Sequence, residues 1–253
     1  MPLILISNDD GIQVEGIHRL VDAVAPLGQV VVVAPDAPRS GGSHSITCNN
    51  LLRPKRIDDY NGAQMWKLNG TPTDCIKLAT DSLLPQQPDL VISGINHGSN
   101  TGNSVIYSGT MGAAIEGCLK CIPSIGFSLC SNHPTAEEFD SIMPYVTEIT
   151  KKVLERGLPD GVCLNVNFPK GGNVKGYKRA RACHGQWTEE YARYTDPDGK
   201  PFYILTGTYL NSEPEATDTD LYCIAHGYAS VVPVVPDRDY TSPLAFFDQP
   251  ENA

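Results

Sequence analysis

Positive charge is scarce in this chain: 253 residues carry 19 Lys and Arg against 29 Asp and Glu, a net charge of -10. A surface of that sign repels nucleic-acid phosphates and anionic lipid headgroups, so neither a nucleic-acid polymer nor a membrane is expected as a partner. The N-terminal apolar run lacks a basic start and stops at Asp9 and Asp10, unlike a signal peptide or a membrane span, and a cytoplasmic protein is expected. Low-complexity runs, internal repeats and a Pro- or Gly-rich linker are also missing. With 41% apolar and 19% charged residues the composition is that of a folded soluble chain. We therefore expect one α/β domain over residues 1–253, with 1–166 as the core that carries the site and 167–253 as an extension. The eight cysteines sit inside apolar stretches and read as free thiols rather than disulfides.

What is present is an alternation of strand and helix signals. Leu3 to Ser7, Val30 to Ala34, Leu90 to Ser93 and Ser124 to Leu129 are continuously apolar or small, as strands buried on both faces should be. Ile17, Leu20, Val21 and Val24 recur at helical spacing and end before Pro26. A second helix starts at Thr71, an N-cap, with Pro72 in its first turn and Asp74 at the capping position. A third begins near Thr110, and its Gly and Ala residues predict close packing on the sheet. A fourth spans Phe139 to Leu154, where Pro144 predicts a kink or a restart. After Val166 the texture turns to short strands, and Asp196-Pro197-Asp198-Gly199 reads as a hairpin turn between Tyr-rich segments. The expected fold class is α/β: a Rossmann-like, mostly parallel sheet flanked by helices, with a C-terminal β-hairpin and helix extension.

Open parallel sheets bind ligands at the carboxyl ends of their strands. Here the first strand runs into Asn8-Asp9-Asp10-Gly11, the second into Asp36 to Gly41, and the third into Gly94-Ile95-Asn96-His97-Gly98. Carboxylates, a hydroxyl and amide carbonyls are hard donors suited to Mg²⁺, Mn²⁺ or Ca²⁺. Asp-Asp-Gly alone is commonly a turn. Two acids directly after a buried strand are costly to desolvate unpaired, however, and a cation is their natural partner.

Five ordered segments now resemble a known family: Asn8 to Gly11; Ala34-Pro35-Asp36 with Arg39-Ser40-Gly41; Gly70 to Cys75; Ser93 to Asn96; and Val105 to Thr110 followed by Glu116-Gly117. Together they resemble SurE, the stationary-phase survival protein family, strongly from Leu3 to about Leu129 and more weakly to Pro233. The resemblance implies a 5'-nucleotidase, a phosphomonoesterase hydrolysing nucleoside 5'-monophosphates, with 3'-nucleotides and short polyphosphate as further candidate substrates. It implies one divalent ion per subunit, Mg²⁺ or Mn²⁺, at a site Ca²⁺ can occupy, held by Asp9, Asp10, Ser40 and Asn96. It places substrate phosphate against Asn8, Gly41, Asn100, Ser108, Gly109 and Thr110, the last three at a helix N-terminus that favours an anion. It also implies a homodimer or homotetramer in which the extension reaches a neighbour. The chain departs from the family pattern at Gly42-Ser43-His44 and at Thr101-Gly102-Asn103-Ser104, which bears on substrate preference.

For catalysis we assign Asp9 as general base and Asp10 chiefly as ligand, with water as the nucleophile. Covalent routes lack their residues, since no cysteine is separated from a following arginine by five intervening residues, and Asp218-Thr219-Asp220 reads as a helix cap. His44 and His97 read as bystanders beside the ligands, Cys118 and Cys121 as buried thiols rather than a zinc pair, and Asp237-Arg238-Asp239 as a solvated turn. The alternative function is a non-catalytic nucleotide-binding or dinucleotide-dependent protein on the same sheet; no Gly-x-Gly-x-x-Gly follows the first strand.

Overall fold

Five consecutive buried residues make the central strand β1 (Leu3–Ser7), and their alternation feeds two separate layers. Ile4 and Ile6 enter one core with Ile17, Leu20 and Val24; Leu3 and Leu5 enter another with Cys75, Ile76 and Ala113. Successive strand residues point to opposite faces, so a run apolar at every position needs helices on both sides. The computed structural model, described over residues 1–236, has this arrangement, and Asp237-Arg238-Asp239 lies outside the described residues.

β1 pairs in parallel with β2 (Gln29–Pro35), and the edge beyond is extended by β3 (Lys55–Arg56) and β4 (Gln64–Leu68). On the other side of β1 lie β5 (Leu90–His97), β6 (Ser124–Leu129) and β7 (Cys163–Phe168), all parallel. Helix α1 (Glu15–Val24) covers one face and α2 (Pro72–Leu78) the other, with the single turn α3 (Ser104–Tyr107) leading into α4 (Gly109–Leu119). The long α5 (Ala136–Arg156) packs beside α1. Each fully buried Leu, Ile or Val contributes roughly 1.5–3 kcal/mol.

Local chemistry starts these helices, at the Thr71 cap that the sequence predicts and at a Thr135 cap that it does not. Thr71 and Asp74 form a reciprocal capping box on α2, and Thr135 with Glu138 forms another on α5. Pro144 does not restart α5, which runs as 21 continuous residues. Burial of Phe139, Ile142, Val146, Ile149 and Val153 along one stripe outweighs the roughly 3 kcal/mol that an interior proline costs. In α4 the small residues permit near contact with the sheet, since a Cβ on Gly117 would lie 2.4 Å from Ser124 Oγ and 2.9 Å from Val91 Cβ.

The segment beyond Val166 is only partly an extension. β8 (Tyr177–Arg179) and the late strand join the central nine-stranded sheet, whose order is β3-β4-β2-β1-β5-β6-β7-β13-β8, with β13 (Ala229–Val234) antiparallel to β7. Standing off the sheet are β9 (Gly185–Thr188), paired with β12 (Thr208–Asn211), and the hairpin of β10 (Tyr191–Thr195) and β11 (Pro201–Leu205). The hairpin turns at Asp196, whose carboxylate accepts the Asp198 and Lys200 amides. Thr219 caps α6 (Asp220–Ala225) by accepting the Tyr222 amide. All eight cysteines are free; Cys118 is buried, but Cys121, expected to be buried with it, is exposed. Cys121 follows the end of α4 at a left-handed φ of 59°, outside the helical stripe that packs inward. Among the described residues no helix is long and apolar enough to cross a membrane.

Candidate functional site

The ends of β1, β2 and β5 meet the start of α4, and the acids after β1 sit at that junction. Asp9 is only 4% exposed. Its Oδ1 accepts the Thr110 hydroxyl at 2.5 Å, and a Cβ built on Gly109 would stand 2.8 Å from Asp9 Cβ and 3.0 Å from Oδ2. Burial pushes the Asp9 carboxyl up to about 6, against the lowering effect of Thr110; the neighbouring Asp10 charge raises it further. Asp10 Oδ2 accepts the His97 amide at 3.1 Å. Its affinity for protons is also raised by burial, with the His97 charge acting in the opposite sense.

Two further segments close on this pair. The Arg39 amide donates to the Asp9 carbonyl at 2.7 Å, which brings the exposed Ser40 and Gly41 alongside. Asn96 follows an irregularity in the β5–β6 register. Its Nδ2 donates to the Gly98 carbonyl at 2.8 Å, which leaves the lone pairs of Oδ1 for an ion. Among the described residues no three His, Cys, Asp or Glu side chains group as a metal site. The set here has two carboxylates, one hydroxyl and one amide, with the oxygen chemistry of a hard-cation site. Two adjacent desolvated carboxylates of raised proton affinity, with the backbone of Gly109 packed directly on Asp9, fit a divalent ion.

The expected phosphate edge is built differently from its sequence reading. Asn8 is fully buried, its Oδ1 accepting the Gly11 amide and its Nδ2 donating to the Gly11 carbonyl, so it shapes the acid-bearing turn. Ser108 accepts the Met111 amide as N-cap of α4, and the Thr110 hydroxyl is taken by Asp9. What this helix start offers an anion is therefore its backbone amides and the Ser108 hydroxyl proton, while the Thr110 proton is spent on Asp9. Asn100 donates through Nδ2 to Ser128 Oγ, and its own amide and carbonyl are held by Asn167 and Asn165, each at 2.8 Å.

Ser128, Asn165 and Asn167, which the sequence reading does not assign to the site, hold Asn100 in place. Two asparagines spaced by two in the apolar strand Cys163–Phe168 share one face, and that was the signal. Glu116 also does more than fill a motif. It is 4% exposed, with His44 Nε2 at 3.0 Å and Lys77 Nζ at 3.2 Å. His44 thereby fastens the loop carrying Ser40 to α4, and it is no bystander. His97 packs on Phe139 with its Nε2 buried and without a partner.

These features define an α/β protein with an acidic, oxygen-lined ligand edge at the carboxyl ends of its central strands. The family described as survival protein SurE matches residues 4–189. The chain belongs to the SurE family. It is 47% identical over 232 residues to a 5'-nucleotidase SurE of Phocaeicola vulgatus, covering 92% of this chain and 90% of that one. It is 48% identical to a 5'-nucleotidase SurE of Bacteroides fragilis, covering 93% and 92%. The crystal structure of SurE protein from Aquifex aeolicus superposes with a TM-score of 0.80 at 39% identity, covering 93% of this chain and 94% of that one.

Proposed function

We propose that this chain is a divalent-metal-dependent 5'-nucleotidase that hydrolyses nucleoside 5'-monophosphates to nucleoside and phosphate. One observation carries the reading: two desolvated carboxylates stand side by side, Asp9 against the start of α4, where an anion is favoured, and Asp10 against the end of β5. The names of the relatives support the same activity. Asp9, Asp10, Ser40 and Asn96 would hold the ion, with Mg²⁺ or Mn²⁺ matching their oxygen donors. Such an ion supplies Lewis acidity toward the phosphoryl group and lowers the pKa of water.

The chain's own residues do the rest. Asp9 takes the proton from the attacking water. Thr110 holds its carboxylate in one orientation. The first backbone amides of α4, with Asn100 and Gly41, orient the phosphate, and burial around Asn8 and Thr110 limits competing water.

We further place the protein in the cytoplasm, a reading the eight free thiols support. We also assign assembly into a homodimer or homotetramer to the segment from Gly185 to Asn211, whose hairpin exposes Tyr191, Tyr203, Ile204 and Leu205. The deciding experiment measures phosphate release from AMP and GMP with Mn²⁺ or Mg²⁺, with and without chelator. Turnover that stops on chelation and returns with the ion is expected; NAD binding without metal and no phosphate release would reverse the assignment.

A further inference from the structure

Asp220 is a fully buried carboxylate that none of the chemistry above uses. Although it opens α6, its two oxygens serve three different parts of the chain. Oδ2 accepts the Gly102 amide at 2.8 Å, while Oδ1 accepts the Cys183 amide at 2.9 Å and the Leu221 amide at 2.8 Å. Gly102 lies two residues after Asn100, and Cys183 lies just before β9. The same loop is stitched to the same segment elsewhere: Asn103 Nδ2 donates to the Gly185 carbonyl at 2.7 Å, and the Tyr209 hydroxyl, which donates to the Cys183 carbonyl, accepts the Asn103 amide. Gly102 itself is pressed under Tyr209, where a Cβ would come within 2.5 Å of the hydroxyl.

The loop around Asn100 is therefore held from two sides. Ser128, Asn165 and Asn167 fix Asn100 to the sheet, and Asp220 fixes Gly102 to the segment beyond the sheet. All three partners of Asp220 are N–H donors, which only a group with two acceptor oxygens and no N–H of its own can satisfy. Asparagine, nearly the same shape, must turn an NH₂ toward at least one backbone N–H. A buried donor left without an acceptor then drives its segment out of place.

We propose that Asp220 is a positioning residue for substrate: by anchoring Gly102 it sets where Asn100 meets the phosphate, and it ties that placement to the segment from Cys183 to Asn211. The inference rests on the reading of Asn100 as a phosphate contact. It concerns substrate binding rather than the ion, because none of the atoms Asp220 touches belongs to Asp9, Asp10, Ser40 or Asn96.

The test compares wild-type protein with Asp220→Asn for AMP hydrolysis in Mn²⁺, for Mn²⁺ affinity by calorimetry, and for amide exchange across residues 99–104. Expected are a KM raised about tenfold, as loss of one hydrogen bond to a charged group implies, a kcat within about twofold, unchanged Mn²⁺ affinity, and faster exchange at Gly102. A wild-type KM alongside faster exchange overturns the proposal, as does a parallel fall in kcat and Mn²⁺ affinity, which marks a general loss of structure. If Asp220→Asn does not fold, Tyr209→Phe and Asn103→Ala cut other ties of the same loop, and a wild-type KM in both is the overturning result. If wild-type protein releases no phosphate from AMP, the nucleotidase reading fails by itself. Inorganic phosphate affinity then replaces KM, and equal affinities in wild type and Asp220→Asn overturn the positioning role.

Discussion

Thr110 Oγ1 donates to Asp9 Oδ1 at 2.5 Å across 101 positions of sequence, joining the start of α4 to the turn after β1. This one contact settles which residue orients the proposed general base, and it takes the hydroxyl away from substrate. Replacement of Thr110 by Val removes the bond at nearly constant volume and leaves a buried carboxylate oxygen without its donor. Because Thr110 lowers the Asp9 proton affinity, its loss moves the acid limb of the kcat/KM profile to higher pH. We expect a stability loss of about 1–3 kcal/mol and weaker Mn²⁺ binding at pH 6.5 that recovers by pH 8; an unshifted acid limb contradicts this role.

Asp9 also makes metal-free stability depend on pH. Its folded pKa of about 6 lies above the ordinary value of 3.8, so the folded state holds the proton more tightly than the unfolded chain. The resulting destabilisation is absent below the unfolded value and grows as pH rises from about 4 to about 6. For a shift of this size it is on the order of 2–3 kcal/mol. In chelator at pH 7.5, Asp9→Asn should therefore melt several degrees above wild type, with the gap closing near pH 4. Turnover should be lost, and added Mn²⁺ should raise the melting temperature of wild type only. A variant less stable than wild type at pH 7.5 would sink this assignment of strain.

Gly109 leaves no room for a side chain beside Asp9. Its Ala variant would place a methyl 2.8 Å from Asp9 Cβ, which forces either α4 or the acid turn to retreat. Overpacking of this kind costs about 1–3 kcal/mol, and displacement of a reacting group by about 1 Å reduces turnover roughly 100-fold. Steady-state kinetics with a calorimetric Mn²⁺ titration checks both, and near wild-type turnover would show that the carboxylate tolerates movement.

His44 and Glu116 supply a further check on the loop that carries Ser40. Glu116→Ala removes a buried carboxylate that His44, Lys77 and Lys120 share. Those partners are substantially exposed, and the expected cost is about 1–2 kcal/mol. His44→Ala should leave the melting temperature within about 2 °C, because a single partly exposed pair is worth under about 1 kcal/mol. It should still weaken Mn²⁺ binding, since the loop carrying Ser40 loses one of its ties, the others being the Ser43 bonds to Ile106 and Tyr107 and the Arg39 amide on Asp9. Unchanged Mn²⁺ affinity in both variants would detach that loop from the ion.

Local chemistry alone determined much of this molecule. Leu3–Ser7 and Ser124–Leu129 form the strands read from their unbroken apolarity, because burial on both faces imprints every position. Thr71 with Asp74 and the Asp196 to Gly199 turn were legible because their hydrogen bonds close within a few residues. The converging strand ends were legible for the same reason, since a parallel sheet dictates where its loops lie. Tertiary structure alone decided what meets across long separations. Lys55–Arg56 and Gln64–Leu68 joined the sheet without a strong pattern, and Ala229–Val234 returned antiparallel beside β7. Asn8, Ser108 and Thr110 proved to be engaged by protein partners, and Asp220 reached Gly102 over 118 positions. A polar side chain announces in sequence that it must find a partner when buried, but the partner's identity depends on which distant backbone the fold brings within 3 Å.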